Sequence, residues 1–158
     1  MADDADQGSG PGKPVKILLV VAGEAAAAVN AALLAGAGAK LAAAGAEVEE
    51  IRLTRISDVP QALALAEAMQ EFDGYVVLGA VIAAPHLWAD VSRALTGIGM
   101  GGGLNGNGLV LADDAQAALL AADPMRADAG GAAAASVLGL IALATGWKIR
   151  TKGIGFRA

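Results

Sequence analysis

The sequence contains a single histidine, His86, within the segment GAVIAAPHLW at residues 79–88. Histidine changes its charge near neutral pH, so it can donate or accept a proton during a reaction. His86 also follows Pro85, where an apolar run gives way to a predicted helix, so its role could be confined to the start of that helix. The residues alone leave a catalytic and a structural interpretation open.

Few other side chains in the sequence suggest chemistry. The chain has no cysteine, which excludes disulfides, thiolate metal sites and cysteine nucleophiles. A single histidine and scattered carboxylates disfavour a metal site. Asp113 and Asp114 are interpreted as charges at the start of a helix, and Trp88 as core or interface packing. Arg126 has no neighbour in sequence that assigns it a role.

The composition is typical of one domain with an alanine-rich core. Of 158 residues, 56% are hydrophobic but only 3% are aromatic. Buried alanines remove little surface from water, at about 25 cal/mol per Å², so we expect further burial between subunits. The net charge of −5 and the pI of about 4.7 argue against nucleic acid as a general partner. The basic end of the chain, 148–158, is interpreted as a solvated tail.

Two segments bear on location and membrane contact. Residues 1–14 are acidic, polar and rich in glycine, which predicts a disordered arm and not a secretory signal. Residues 130–147 carry no charge and reach the length of a short membrane span, about 18 residues. Alanine and glycine dominate this segment, so we expect a helix buried on several sides in a soluble protein. The predicted location is the cytoplasm, with no membrane partner.

The pattern of apolar residues predicts a three-layer αβα sandwich around a four-stranded parallel sheet. Apolar runs of strand length alternate with alanine-rich helical segments. The second strand alternates apolar and charged residues, which is typical of an edge strand. The predicted strands are 16–21, 47–53, 74–80 and 109–112. The predicted helices are 24–44, 58–72, a segment within 86–98, 113–123 and about 131–145.

Ligands of such folds bind beyond the carboxyl ends of the strands. That rule selects the loops 22–24, 54–58, 81–86 and 113–116. The glycine-rich segment 97–108 contains Gly-x-Gly-x-x-Gly, but it precedes a strand instead of following one. It is therefore not a dinucleotide fingerprint, and we predict a connector over 99–108 at the opposite edge of the sheet.

Several strings, in order, resemble the lumazine synthase family of riboflavin biosynthesis. KILLVV at 16–21 and ALLAGAGAKLAAAGAEVEEIRL at 32–53 resemble its first strand, helix and second strand, and FDGYVVLGAVI at 72–82 resembles its third strand. Later segments are similar too: SRALTGI, NGNGLVLADDAQA and AGGAAAASVLGLIAL. The resemblance covers about 16–147, and its order and spacing make it specific.

The resemblance implies a flavodoxin-like fold that assembles as pentamers, sometimes in a hollow shell, with active sites between subunits. It implies condensation of 5-amino-6-ribitylamino-uracil with 3,4-dihydroxy-2-butanone 4-phosphate, without a metal or redox cofactor. His86 matches the family's proton-transferring histidine. The implied substrate contacts are Ile56, Ser57, Asp58, Val81, Ile82, Asn107 and Arg126, with Asn107 reaching a neighbouring subunit's site.

The sequence departs from the family at several of these loops. The family's stacking aromatic is replaced within Ala22-Gly23-Glu24, and its Pro-Gly-Ala by Thr54-Arg55-Ile56. Its donor-rich Arg-Gly-Glu/Asp-Thr becomes Ala83-Ala84-Pro85, and its lysine before the last helix becomes Ala129. A phosphorylated substrate needs charge-assisted donors, so we expect weakened activity.

Two alternatives to a weakened enzyme stay open on the sequence. The first is a non-catalytic pentameric or shell-forming scaffold that retains binding of a flavin-like ring. The second is a flavodoxin-like module that binds a nucleotide, and it predicts a monomer.

Overall fold

The computed structural model describes residues 12–23 and 26–153, with side chains as far as residue 150. The predicted arm therefore lies outside the described residues except for Gly12–Pro14, as do Glu24 of the first loop and Arg157 of the tail. The strands are β1 Lys16–Ala22, β2 Glu47–Leu53, β3 Gly74–Ile82 and β4 Asn105–Ala112. The helices are α1 Ala27–Ala43, α2 Val59–Met69, α3 Pro85–Met100, α4 Ala115–Ala122 and α5 Ala129–Gly153, and a 3₁₀ turn, Ile56–Asp58, precedes α2.

The four strands form one parallel sheet in the order β2-β1-β3-β4, which confirms the predicted sandwich. Successive residues of β1 point to opposite faces of the sheet. Ile17 and Leu19 pack with α1, α4 and α5, whereas Leu18 and Val20 pack with the 3₁₀ turn, α2 and α3. β2 lies at one edge, as its alternating pattern predicts, and β4 lies at the other.

The glycine-rich connector is shorter than the sequence predicts, because β4 begins at Asn105 and not at Leu109. Gly106 and Gly108 belong to the strand, where the backbone of α5 packs directly on them. A Cβ at Gly106 would collide with the carbonyl oxygen of Ala133. Glycine inside a strand often marks such a close approach, and here it conceals the strand in the sequence.

Helix α5 is longer than predicted, and only one side of the helix is buried, whereas the sequence predicted burial on several sides. Ala133, Ala134, Val137 and Ile141 enter the core, at helical spacing. The helix continues beyond Trp147 into the segment predicted as a basic tail. Residues Ala129–Arg150 are long and apolar enough to cross a membrane by length and composition, and 33% of the apolar window is buried against the chain.

Candidate functional site

The carboxyl ends of the strands meet at one edge of the sheet, and three of the four predicted loops converge on the β1–β3 boundary there. The chain leaves β1 toward α1 on one face and leaves β3 toward α3 on the other. Such a reversal opens a crevice between the two strands, where ligands of open α/β sheets bind. The candidate site is built around this crevice.

His86 is the second residue of α3 and is exposed at the mouth of β3. Pro85 occupies the first turn, where its fixed φ suits a helix start and its missing N–H leaves no orphan donor. The N-cap is Ala84, which has no side-chain acceptor to cap the helix. The imidazole therefore faces solvent at the start of a helix whose preceding residues carry no polar side chain.

The loop before His86 has a strained backbone. Ala83 has φ of 51°, in the left-handed region that non-glycine residues rarely adopt. Its N–H donates to the carbonyl of Ala112 at 2.8 Å, so pairing with β4 continues past the end of β3. This bond uses an N–H that would otherwise be a potential anion donor. Since Pro85 has no N–H, the loop has little left with which to hold a phosphate.

Ile56 fills the crevice between β1 and β3. Its side chain is 8% exposed and belongs to the core on the α2–α3 face. A Cβ added at Gly23 would lie 3.2 Å from Ile56 Cδ1, and one at Gly79 would lie 2.9 Å from it. The tip of Ile56 therefore lies between the ends of the two strands. Ser57 and Asp58, which follow in the 3₁₀ turn, are exposed.

The side chains of Val81 and Ile82, at the end of β3, lie on opposite faces of the sheet. Val81 is buried in the core on the α2–α3 face, whereas Ile82 is half-buried against the α1–α4–α5 face. Ile56 and Val81 are in the same core cluster, so the structure brings these two predicted residues onto one face.

Asn107 lies apart from that crevice, in the amino half of β4, where it pairs in register with Val77. Its Nδ2 donates to Ser92 Oγ at 3.0 Å, and its Oδ1 accepts from the N–H of Leu109 at 3.0 Å. It also lines a hollow of about 570 Å³ between α3 and α5 at the β4 edge. This placement leaves Asn107 exposed and five positions of register away from the β4 partner of Ile82, which is Ala112.

Arg126 is not brought to His86 by its own chain's fold. It lies in the loop between α4 and α5, which pack on the face opposite to α3. Its Nε is 3.7 Å from Asp123 Oδ2, and the side chain is exposed. Asp114, by contrast, fits its predicted role, because its carboxylate accepts from the N–H of Ala117 at 2.7 Å and caps α4.

The first loop is held by a buried side chain that sequence reasoning missed. Asn30 of α1 is 7% exposed, and its Nδ2 donates to the carbonyl of Gly23 at 2.7 Å. A cavity of about 480 Å³ lies beside it, lined by the end of β1, the start of α1 and the end of β2. The signal in the sequence is the position of Asn30, a polar residue on the inner face of an otherwise apolar predicted helix.

Trp88 and Ser92 were also missed as polar contacts. The indole Nε1–H of Trp88 donates to the carbonyl of Leu109 at 2.8 Å, while its ring packs on the core. The packing of the Trp88 ring on the core agrees with the prediction from the sequence. The hydrogen bond depends on register between α3 and β4, which the sequence does not reveal.

Among the curated sequences similar to this chain, three are 36–37% identical to it. A 6,7-dimethyl-8-ribityllumazine synthase of Novosphingobium aromaticivorans is 37% identical over 124 residues, covering 75% of this chain and 89% of the relative. The enzyme of that name from Jannaschia sp. is 36% identical over 150 residues, covering 92% and 84%. The one from Erythrobacter litoralis is 36% identical over 120 residues, covering 73% and 86%.

No family model matches the chain. The identities to these relatives nevertheless extend over most of both sequences, and the observed sheet and helices have the order that the resemblance implies. The chain belongs to the 6,7-dimethyl-8-ribityllumazine synthase family.

Proposed function

We propose that this protein catalyses the lumazine synthase reaction with reduced efficiency. The reaction condenses 5-amino-6-ribitylamino-uracil with 3,4-dihydroxy-2-butanone 4-phosphate and releases phosphate and water. The observation that carries the proposal is the chain's single histidine, His86, exposed at the carboxyl end of β3. Relatives named as lumazine synthases match most of the chain around it.

In the proposed reaction the protein contributes mainly by holding two substrates together, which removes much of the entropic barrier. His86 moves protons as the amine of the pyrimidine adds to the ketone of the sugar phosphate. Asp58, exposed on the 3₁₀ turn, accepts hydrogen bonds from hydroxyl groups of the ribityl chain. The main chain of Val81 and Ile82 lines the pyrimidine.

The reduced efficiency follows from two features of the loops. The phosphate carries about two negative charges near neutral pH, yet Ala83-Ala84-Pro85 supplies no side-chain donor, and Ala83 N–H is already bonded to Ala112. Ile56 occupies the crevice in which a planar ring would be stacked. Loss of positioned donors commonly lowers the rate by several powers of ten.

The test is direct measurement of lumazine formation. Purified protein at high concentration is mixed with both substrates, and the product is followed by its absorbance. Turnover that disappears in His86→Ala but persists in Arg93→Ala, an exposed change on the same helix, supports the proposal. Absence of product from the wild type at any enzyme concentration would overturn it.

A second candidate function is a non-catalytic scaffold derived from the same family. The hollow at the β4 edge and the strongly exposed Met100 favour it, because both suit burial against a neighbouring copy. In this proposal the chain forms cytoplasmic pentamers, or a shell built from them, and binds a flavin-like ring without turnover. Electron micrographs without rings or shells would contradict it, as would turnover lost in His86→Ala.

A further inference from the structure

His86 lies between two hydrogen bonds that tie its segment to β4. Before it, the N–H of Ala83 donates to the carbonyl of Ala112 at 2.8 Å. After it, the Nε1–H of Trp88 donates to the carbonyl of Leu109 at 2.8 Å. Between these two bonds, the residues other than His86 have no polar side chain. Two hydrogen bonds to β4 therefore hold the segment on either side of His86.

Trp88 also closes the helical turn that contains His86. The first helical bond of α3 runs from the N–H of Trp88 to the carbonyl of the N-cap residue Ala84, at 3.2 Å. The same residue thus bonds the helix internally through its main chain and to β4 through its indole. Its ring packs on the core of the α2–α3 face, which limits its rotation.

The acceptor of the indole is well suited to act as an anchor. Leu109 is buried in β4, and its N–H is held by Asn107 Oδ1 at 3.0 Å. Both main-chain polar groups of Leu109 are therefore bonded to side chains. Asn107 in turn bonds Ser92 at 3.0 Å, one helical turn beyond Trp88. A third side-chain bond, from Asn105 Nδ2 to the carbonyl of Leu95 at 2.9 Å, also fastens α3 to β4.

We propose that Trp88 is a positioning residue for the reaction, which fixes His86 through the indole hydrogen bond to Leu109. This proposal rests on the proposed function only for its kinetic consequence. The geometric consequence, a fixed position of the His86 backbone at the mouth of β3, stands without turnover. The Ser92–Asn107 bond supports the same helix farther from His86 and has the smaller effect.

The test uses Trp88→Phe, which keeps an aromatic ring but removes the N–H donor. We expect kcat to fall about tenfold, equivalent to about 1.4 kcal/mol in the barrier, with KM for both substrates changed less than about twofold, since no substrate contact is lost. Ser92→Ala should lower kcat by less. Two matched controls should leave kcat unchanged: Trp147→Phe, on α5 across the sheet, and Tyr75→Phe, which also removes one side-chain hydrogen bond and retains the ring.

A second readout separates positioning from loss of stability. The chain has one histidine, so protein labelled with carbon-13 at the histidine Cε1 gives one imidazole cross-peak in an NMR spectrum. We expect this peak to move and broaden in Trp88→Phe and to stay unchanged in Tyr75→Phe at equal folded fraction. An unchanged peak and unchanged kcat in Trp88→Phe would overturn the proposal. If the wild type has no turnover, the proposed function fails, but the NMR comparison still decides the positioning role.

Discussion

Ile56 is the residue whose replacement should change the site most at the scale of a single side chain. Its tip lies between Gly23 and Gly79 in the crevice, where the family resemblance implies alanine. We expect Ile56→Ala to raise kcat/KM for the pyrimidine substrate about tenfold, because each 1.4 kcal/mol of regained binding is a factor of ten. The same change should lower the free energy of unfolding by about 2–5 kcal/mol. Steady-state kinetics and urea unfolding measure the two effects.

The control for that variant is Leu63→Ala on α2. Leu63 is fully buried in the same core cluster but is not among the atoms that border Gly23 and Gly79. It should lose comparable stability without any gain in kcat/KM. A gain in kcat/KM in both variants would mean that general loosening of the core causes the effect. No gain in kcat/KM in Ile56→Ala would mean that the crevice does not receive the pyrimidine ring.

Tyr75 makes the stability of the protein fall with rising pH in the alkaline range. Burial, and then the hydrogen bond of 2.6 Å to Glu67 Oε2 and the charge of that carboxylate, raise the pKa of the Tyr75 hydroxyl. The unfolded chain ionises this group near pH 10, whereas the folded protein resists ionisation. The stabilisation that the neutral Tyr75 hydroxyl gives to the folded protein is therefore fully present below about pH 10 and is lost as the pH rises above it.

The chain has one tyrosine, so tyrosinate absorbance reports on Tyr75 alone. We expect ionisation to coincide with unfolding when the pH is raised. Tyr75→Phe should show a weaker fall in stability above pH 10 than the wild type, measured by urea unfolding at each pH. Tyrosinate absorbance that develops while the protein stays folded would contradict the expectation.

At the scale of elements, the contact between α5 and β4 depends on glycine. A Cβ at Gly106 would collide with backbone atoms of Ala133, which a side-chain rotation cannot relieve. We expect Gly106→Ala to lower the free energy of unfolding by about 3 kcal/mol or more, as overpacking of a core does. Gly139→Ala on α5, where a Cβ would meet nothing within 4 Å, should raise it by about 1 kcal/mol. Urea unfolding of both variants tests the pair, and equal effects would contradict the close packing.

These two glycine environments also explain what the sequence predicted and what it concealed. The strands β1, β2 and β3 follow from apolar runs or from alternation, and the edge position of β2 follows from its charges. The first half of β4 could not be predicted, because Asn105-Gly106-Asn107-Gly108 has the composition of a turn. Its glycines are required by α5, which is distant in sequence. His86 was placed correctly at the end of β3, whereas the Trp88–Leu109 bond and the position of Ile56 depend on register between elements.

At the scale of the whole molecule, the described chain leaves large apolar side chains in solvent. The most exposed are Met125 at 91%, Met100 at 85%, Leu65 at 72% and Ile149 at 67%. An alanine-rich core buries little area per residue, so the proposed assembly would supply the missing burial. The hollow beside Met100 at the β4 edge is the surface we expect a neighbouring subunit to cover.

Assembly of this kind predicts that stability depends on protein concentration. If the folded protein is a pentamer, a tenfold rise in protein concentration should raise the thermal midpoint by about 2–4 °C. Mass action then adds about 1 kcal/mol to the free energy of unfolding per subunit. Met100→Lys places a charge in the hollow and should lower both the midpoint and the assembled fraction. Differential scanning calorimetry at several concentrations, with native mass spectrometry, provides the measurement. A midpoint that does not change with concentration, together with the mass of one chain, would show that the exposed apolar side chains stay in solvent.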